Sequence, residues 1–184
     1  MEEIILQRKL EALGQNGTLI RKDGKTFLQL DCENAKELSM KWGEKLYPFT
    51  KTGKKWILEL PFSTAVNYVQ ICVDGQEVLS PDLPIAHGYC RPYNYIELPD
   101  EEGLFELRDV PHGTLTQEFY KSKISDNWEK LIVYLPPCVP SAGLPVLYLQ
   151  HGFGESEISW STTGKVNFLM DNLIAAGKIK PFAI

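Results

Sequence analysis

One stretch restricts the fold of this chain more than any other: Val146-Leu147-Tyr148-Leu149-Gln150-His151-Gly152-Phe153-Gly154, an apolar run that closes on a glycine-rich turn and leads into a helical pattern. That order reads as a strand, a turn and a helix at the start of an α/β domain. Glycines at 152 and 154 allow backbone conformations closed to other residues, so that amide N–H groups point outward at the carboxyl end of the strand. Amides so placed can hold a developing oxyanion.

The helix is expected between Lys165 and Ala176, because Val166, Leu169, Met170, Leu173 and Ile174 recur at i, i+3, i+4, i+7 and i+8. Thr162, Thr163 and Gly164 offer entry positions, and Gly177 is placed as the left-handed residue after the last turn. Lys178 and Lys180 suit the negative end of the dipole, and Pro181 forbids continuation. Asp171 and Asn172 fall off the apolar stripe and are expected in solvent. Phe182-Ala183-Ile184 reads as the start of another buried strand, unpaired where the sequence stops, which implies a fold cut part-way through.

Upstream, residues 17 to about 98 carry short alternating runs separated by turns. Leu28, Leu30 and Cys32 share one face of such a run, and Trp56, Leu58 and Leu60 share one face of another. Val69–Val73, Asp74-Gly75 and Gln76–Leu79 carry the signal of a tight hairpin. Several strands at this spacing without a helical period point to an immunoglobulin-like β-sandwich. Residues 1–13 fit a short helix or a leading strand. Pro81, Pro84, Gly88, Pro92 and Pro99 make residues 80–103 the exit from the sandwich and a connecting segment. The expected division is therefore residues 1–100, a sandwich with its connector, and residues 101–184, with a hairpin of Thr114–Lys121 and Trp128–Leu135 joined by residues 122–127.

At 184 residues and 43% hydrophobic content the chain can bury one or two cores. A formal net charge of -5 argues against nucleic acid or an anionic membrane surface as partner. The acidic start, Met1-Glu2-Glu3, lacks the basic residues and long apolar core of a secretory leader, and no run approaches a membrane span. Cys32, Cys72, Cys90 and Cys138 form no C-x-x-C pair and read as free thiols. Cytoplasm is the expected compartment, although a removed leader would leave the same appearance.

Leu147–Glu155, Trp160, Gly164–Ala175 and Gly177–Pro181 together closely resemble the opening of the esterases of carbohydrate esterase family one, which includes feruloyl and acetylxylan esterases and enterochelin-esterase-like relatives. Gly88-Tyr89-Cys90-Arg91-Pro92-Tyr93-Asn94-Tyr95-Ile96 and Arg108-Asp109-Val110-Pro111-His112-Gly113 resemble the connector of members with an early-set immunoglobulin-like domain at the amino terminus. The resemblance implies a β-sandwich of that kind followed by an incomplete α/β-hydrolase domain. It also implies hydrolysis of a carboxylic ester by a Ser, His and Asp or Glu triad, with a feruloylated or acetylated oligosaccharide as the substrate class and no cofactor. No G-x-S-x-G elbow occurs in the sequence, and Ser156, Ser159 and Ser161 lie in the loop after His151. What transfers is the oxyanion loop: the amide of Phe153 as donor, with Gly152 and Gly154 shaping it and His151 and Trp160 supporting it. No catalytic triad member is assigned in these 184 residues, and no metal ligand.

Several residues have plainer readings. His151 is expected to be structural, since no nucleophile or acid is placed beside it. His87, Cys90 and His112 do not complete a zinc set and read as loop packing. Trp42, Trp56, Tyr89, Tyr93 and Tyr95 are candidates for a sugar-stacking surface, but Trp56 is in phase with Leu58 and Leu60 and reads as core. Lys51, Lys54 and Lys55 read as a solvated turn. Two functions stay open: the amino-terminal portion of a serine esterase, itself inactive without a nucleophile, or a complete β-sandwich module for binding or interaction.

Overall fold

A computed structural model describes residues 3–6, 18–140 and 143–184. In chain order its elements are β1 (Glu3–Leu6), β2 (Thr18–Lys22), β3 (Lys25–Asp31), β4 (Leu38–Trp42), β5 (Lys45–Pro48), β6 (Thr50–Thr52), β7 (Lys55–Glu59), β8 (Val66–Val73), β9 (Gln76–Val78), β10 (Ile85–Gly88), β11 (Arg91–Glu97), β12 (Thr114–Lys121), β13 (Trp128–Leu135), α1 (Ser159–Thr162) and α2 (Val166–Ala175). Of the ambiguous residues 1–13, Glu3–Leu6 form a strand and the others lie outside the described residues. The chain divides into two compact units, Met1–Ala86 with Arg91–Pro99, and His87–Cys90 with Asp100–Ile184.

The first unit is a sandwich-like pair of sheets, ordered β1-β2-β3-β7-β6 and β10-β11-β8-β4-β5, with β9 on β8. The alternation in the sequence supplies its core. Leu28, Leu30, Trp56 and Leu58 from one sheet and Met40, Val69, Ile71 and Ile96 from the other are all buried in a single cluster. Trp56 is therefore a core residue, and its indole N–H donates to Cys32 O at 2.8 Å. Tyr95 is also buried, while Trp42 packs on Phe62 with centroids 5.1 Å apart. These three do not form an exposed stacking surface.

Residues 80–98 correct the expected connector. They supply β10 and β11 to the second sheet and Leu83, Ile96 and Leu98 to the core. Pro81 and Pro84 mark a turn that a buried amide ties together: Asn94 Oδ1 accepts from Ser80 N–H at 2.8 Å, and Nδ2 donates to Ser80 O at 3.0 Å and Leu83 O at 3.2 Å. One polar residue thus holds a proline-rich run that periodicity cannot assign. The lysine cluster is neutralised locally, with Lys55 on Asp31 and Lys54 on Glu33, while Lys51 donates to two backbone carbonyls.

In the second unit β12 and β13 pair antiparallel over the whole expected hairpin, Thr114 opposite Leu135 and Lys121 opposite Trp128. Residues 182–184 are not unpaired. Ile184 exchanges both backbone hydrogen bonds with Tyr134, while Ala183 N–H donates to Pro145 O and Leu147 N–H to Ala183 O. The last residues thus lie between β13 and the segment 145–147, parallel to the latter through the Val146–Ala183 bridge, with α1 and α2 in the crossover. The segment expected as a buried central strand makes only that bridge, and Val146, Leu147 and Tyr148 are exposed.

Helix α2 ends as the sequence suggests. Lys178 N–H reaches Leu173 O, Gly177 N–H reaches Ile174 O, and Gly177 takes φ +65°, which is a Schellman closure. Its start differs: Lys165 is the N-cap and, having no acceptor atom, makes no side-chain cap bond, while the Thr162 and Thr163 hydroxyls bond back to Ile158 O and Ser159 O of the preceding turn. Asn94→Ala is expected to lower unfolding free energy by roughly 2–4 kcal/mol, since several buried partners lose their bonds at once. Denaturant unfolding of the variant checks this, with a shift under about 0.5 kcal/mol counting against the account.

Candidate functional site

The loop after the 145–147 segment is held on both sides of Phe153. Trp160 Nε1–H donates to Gln150 O at 2.9 Å, from the second residue of α1. His151 Nδ1–H donates to Gly152 O, also at 2.9 Å, which fixes the ring beside the backbone and uses the nitrogen nearest the loop. Glu155 N–H donates to the same carbonyl at 3.2 Å, and Glu155 Oε2 accepts from Gly152 N–H at 3.1 Å. This reciprocal pair at i and i+3 has the form of a capping box. Gly154 O accepts from Cys90 N–H at 3.0 Å.

The amides of His151, Phe153 and Gly154 have no acceptor among the described residues, and the Phe153 side chain is 86% exposed. The two glycines differ in a way the sequence does not reveal. Gly154 takes φ +73°, and a Cβ there would lie 2.2 Å from Cys90 N, so only glycine fits. Gly152 does not take a positive φ, and a Cβ there would meet nothing closer than Glu155 Oε2 at 3.4 Å. Its amide is engaged by Glu155, so of the loop amides assigned from the sequence, Gly152 is not open to an incoming oxygen. The nearby serines are turned to local work: Ser159 is buried and its Oγ accepts from Ser156 N–H, and Ser161 donates to Ile158 O.

A second polar cluster backs this unit, and it overturns the solvated reading of Asp171 and Asn172. Both are buried on α2, with relative exposures of 2% and 3%. Asp171 Oδ1 accepts from the Tyr134 hydroxyl at 2.6 Å and from Gly113 N–H at 3.0 Å, and Oδ2 faces His112 Nδ1 at 2.9 Å. Asn172 Nδ2 donates to Leu104 O and Glu106 O. The helix is therefore anchored by polar groups to the segment 104–113 and to β13. Gly113 cannot carry a side chain here, because a Cβ would lie 2.3 Å from Leu135 O. Periodicity missed these residues because it scores apolar burial, and a buried carboxylate with three donors looks like a surface charge in sequence.

His112 has an acceptor at each ring nitrogen, Asp171 at Nδ1 and Arg108 O at Nε2, 2.9 Å away. The doubly protonated ring satisfies both. The hydrogen bond from Asp171 leads the causes that raise its pKa above the ordinary 6.5, with the Arg108 carbonyl and Asp109 adding to it against some desolvation. Burial, then Asp171, pushes the Tyr134 hydroxyl up, so it stays a donor. At the loop's flank Lys130, 2.6 Å from Glu157, holds that carboxyl below its usual range. Among the described residues no group of His, Cys, Asp and Glu is placed to hold a metal, and no helix is long and apolar enough to cross a membrane.

With this geometry in view, comparison with known proteins is informative. The chain is 31% identical, over 93% of its length, to an endo-1,4-beta-xylanase/feruloyl esterase of Xylanibacter ruminicola. The resemblance to esterases of this kind holds along the chain. No family model matches it. In structure it is similar to the enterobactin esterase of Shigella flexneri, solved in the presence of enterobactin (TM-score 0.62) and of 2,3-dihydroxy-N-benzoyl-glycine (TM-score 0.57). Those likenesses cover 99% and 94% of this chain at 10% identity, and so speak to fold alone. The chain spans about a quarter of the length of the xylanase/feruloyl esterase, 26%, and about half of the solved esterases, 54% and 53%.

The raised pKa gives a pH prediction. Because the folded value lies above the unfolded one, the stabilisation by His112 is fully present below about pH 6.5 and is lost as pH rises through the folded value. Unfolding midpoints of the native chain should fall between about pH 6 and pH 9, and His112→Asn should flatten that slope. Equal slopes in the two proteins would refute it.

Proposed function

We propose that these residues are the amino-terminal portion of a serine carboxylic-ester hydrolase acting on feruloyl or acetyl esters of plant polysaccharides. On this reading the first unit is an early-set immunoglobulin-like sandwich, residues 101–184 begin an α/β-hydrolase domain, and the Phe153 amide is one donor of its oxyanion hole. The observation that carries it is the open Phe153 N–H in a loop held on both sides of it, at Gln150 O and Gly152 before it and at Gly154 O after it. A donor fixed before the reaction does not spend energy reorienting as charge develops on the substrate oxygen. The parallel bridge crossed by α2, with an exposed apolar outer edge at 146–148, supports an α/β sheet that continues beyond that edge. The likeness to a feruloyl esterase supports the aromatic acyl group as substrate.

The sequence contains no G-x-S-x-G elbow, so the 184 residues offer an amide for the oxyanion and no nucleophile to form the acyl-enzyme. The purified chain is expected to hydrolyse methyl ferulate no faster than buffer. Turnover abolished by a serine-directed phosphonate would overturn that. A longer polypeptide that joins these residues to a downstream elbow is expected to be active, and Phe153→Pro within it, which removes the N–H, should lower kcat by about 10²–10³. An unchanged kcat would remove Phe153 from the oxyanion hole.

A further inference from the structure

The turn between β10 and β11 has the wrong residues for its shape. Two-residue hairpin turns with positive φ at both central positions favour Asn-Gly or Asp-Gly, because a side chain with a bulky Cβ is strained there. The chain uses that solution at Asp23-Gly24 and Asp74-Gly75. At the third such turn it places Tyr89 at φ 49° and Cys90 at φ 63°. Strain of this kind persists where the surroundings require it, and it gathers at ligand sites.

The surroundings here are the Phe153 loop. Cys90 N–H bonds to Gly154 O at 3.0 Å, and a Cβ on Gly154 would lie 2.7 Å from Tyr89 Cα, so the turn and the loop touch backbone to backbone with glycine as the only residue that permits it. The turn residues His87–Cys90 belong to the same compact unit as the loop. Tyr89 is 69% exposed and Phe153 86%. Two exposed aromatic residues thus adjoin Gly154, Tyr89 through its backbone and Phe153 as the preceding residue, and the Phe153 amide has no acceptor among the described residues.

We propose that Tyr89 is a specificity-determining residue that packs against the planar aromatic acyl group of an ester whose carbonyl oxygen is held at the Phe153 amide. This rests on the ester-site reading above and adds to it the surface that would tell an aromatic acyl group from acetyl. An aromatic face accepts a hydroxycinnamoyl or benzoyl ring by offset or edge contact and gains little from a methyl group. The strained turn keeps the Tyr89 backbone against the loop, and an Asn-Gly turn would carry no aromatic ring there.

The test is titration of the native 184-residue chain with methyl ferulate and, as the aliphatic control, methyl acetate, following the backbone amide resonances of Phe153, Gly154 and Cys90. Methyl ferulate is expected to give saturable shifts at all three, and methyl acetate none at Cys90. Tyr89→Asn relieves the left-handed strain, so its melting temperature should rise by about 2–4 °C while its affinity for methyl ferulate falls about 10-fold. Tyr89→Phe should bind as the native chain does. A residue with a merely structural role would lose stability and affinity together. If methyl ferulate shifts Phe153 and Gly154 equally well in Tyr89→Asn, the proposal for Tyr89 fails and the ester site stands. If it shifts none of the three in the native chain, both readings fall.

Discussion

The carboxylate of Asp171 is the interaction on which the carboxyl-terminal unit depends. It sits on a helix that reads as half-solvated, yet it is buried and takes three hydrogen bonds from two distant parts of the chain: the β13 tyrosine, and the adjacent His112 ring and Gly113 amide. A buried charge is costly unless its lone pairs are filled, and here each donor is delivered by an element that must be in place first. Helix, hairpin and the segment 104–113 are therefore specified together. The crossing of Gly113 under Leu135 O leaves no room for an alternative register.

This explains which parts of the fold were legible in the sequence. Alternation gave the Trp56 and Leu58 face, where the burial is apolar and local, and turn residues gave the Asp74-Gly75 hairpin; β12 and β13 were legible from their strand-forming residues, although β12 is exposed throughout. Gly177 was legible because a helix end needs a left-handed residue. Three things were not. Asn94 and Asp171 stabilise by hydrogen bonds whose partners lie far along the chain, and no period records them. Residues 80–98 looked like a linker because proline density was read as exit, although Pro81 and Pro84 stand at a turn closed by Asn94 and Pro92 lies within β11. The terminal Phe182–Ile184 looked unpaired because its neighbours, Tyr134 and Pro145–Leu147, are chosen by topology.

The same limit applies to the candidate site. The sequence located the loop from its glycines and its histidine, but treated the glycines as equivalent. In the structure Gly154 is required by its φ and by contact with Cys90, whereas Gly152 is sterically unremarkable and has its amide taken by Glu155. The spacing from Gly152 to Glu155 was a readable signal, since a carboxylate three residues on is what returns to an exposed N–H. The consequence is chemical. With the 152 amide engaged, the direction of the 153 amide is set by bonds on both sides of it.

If the loop acts through the Phe153 amide as proposed, it cannot be tuned by exchanging the donor itself, since every residue but proline supplies the same N–H. Selection can act only on what holds the loop and on what lines its approach. Here the holders are His151, Glu155, Trp160 and the Cys90 amide, each bonded to a main-chain atom between Gln150 and Gly154. On the proposed reading Phe153 and Tyr89, both exposed, line the approach and set the preference for the acyl group. Position and preference are thereby carried by different residues, except at the Tyr89-Cys90 turn. There one strained dipeptide does both: its second amide fixes Gly154, and its first side chain faces solvent at the loop. A substitution that relaxes that turn must therefore be judged on two measurements, because the gain in backbone freedom and the loss of the aromatic surface arise at adjacent residues and have opposite signs.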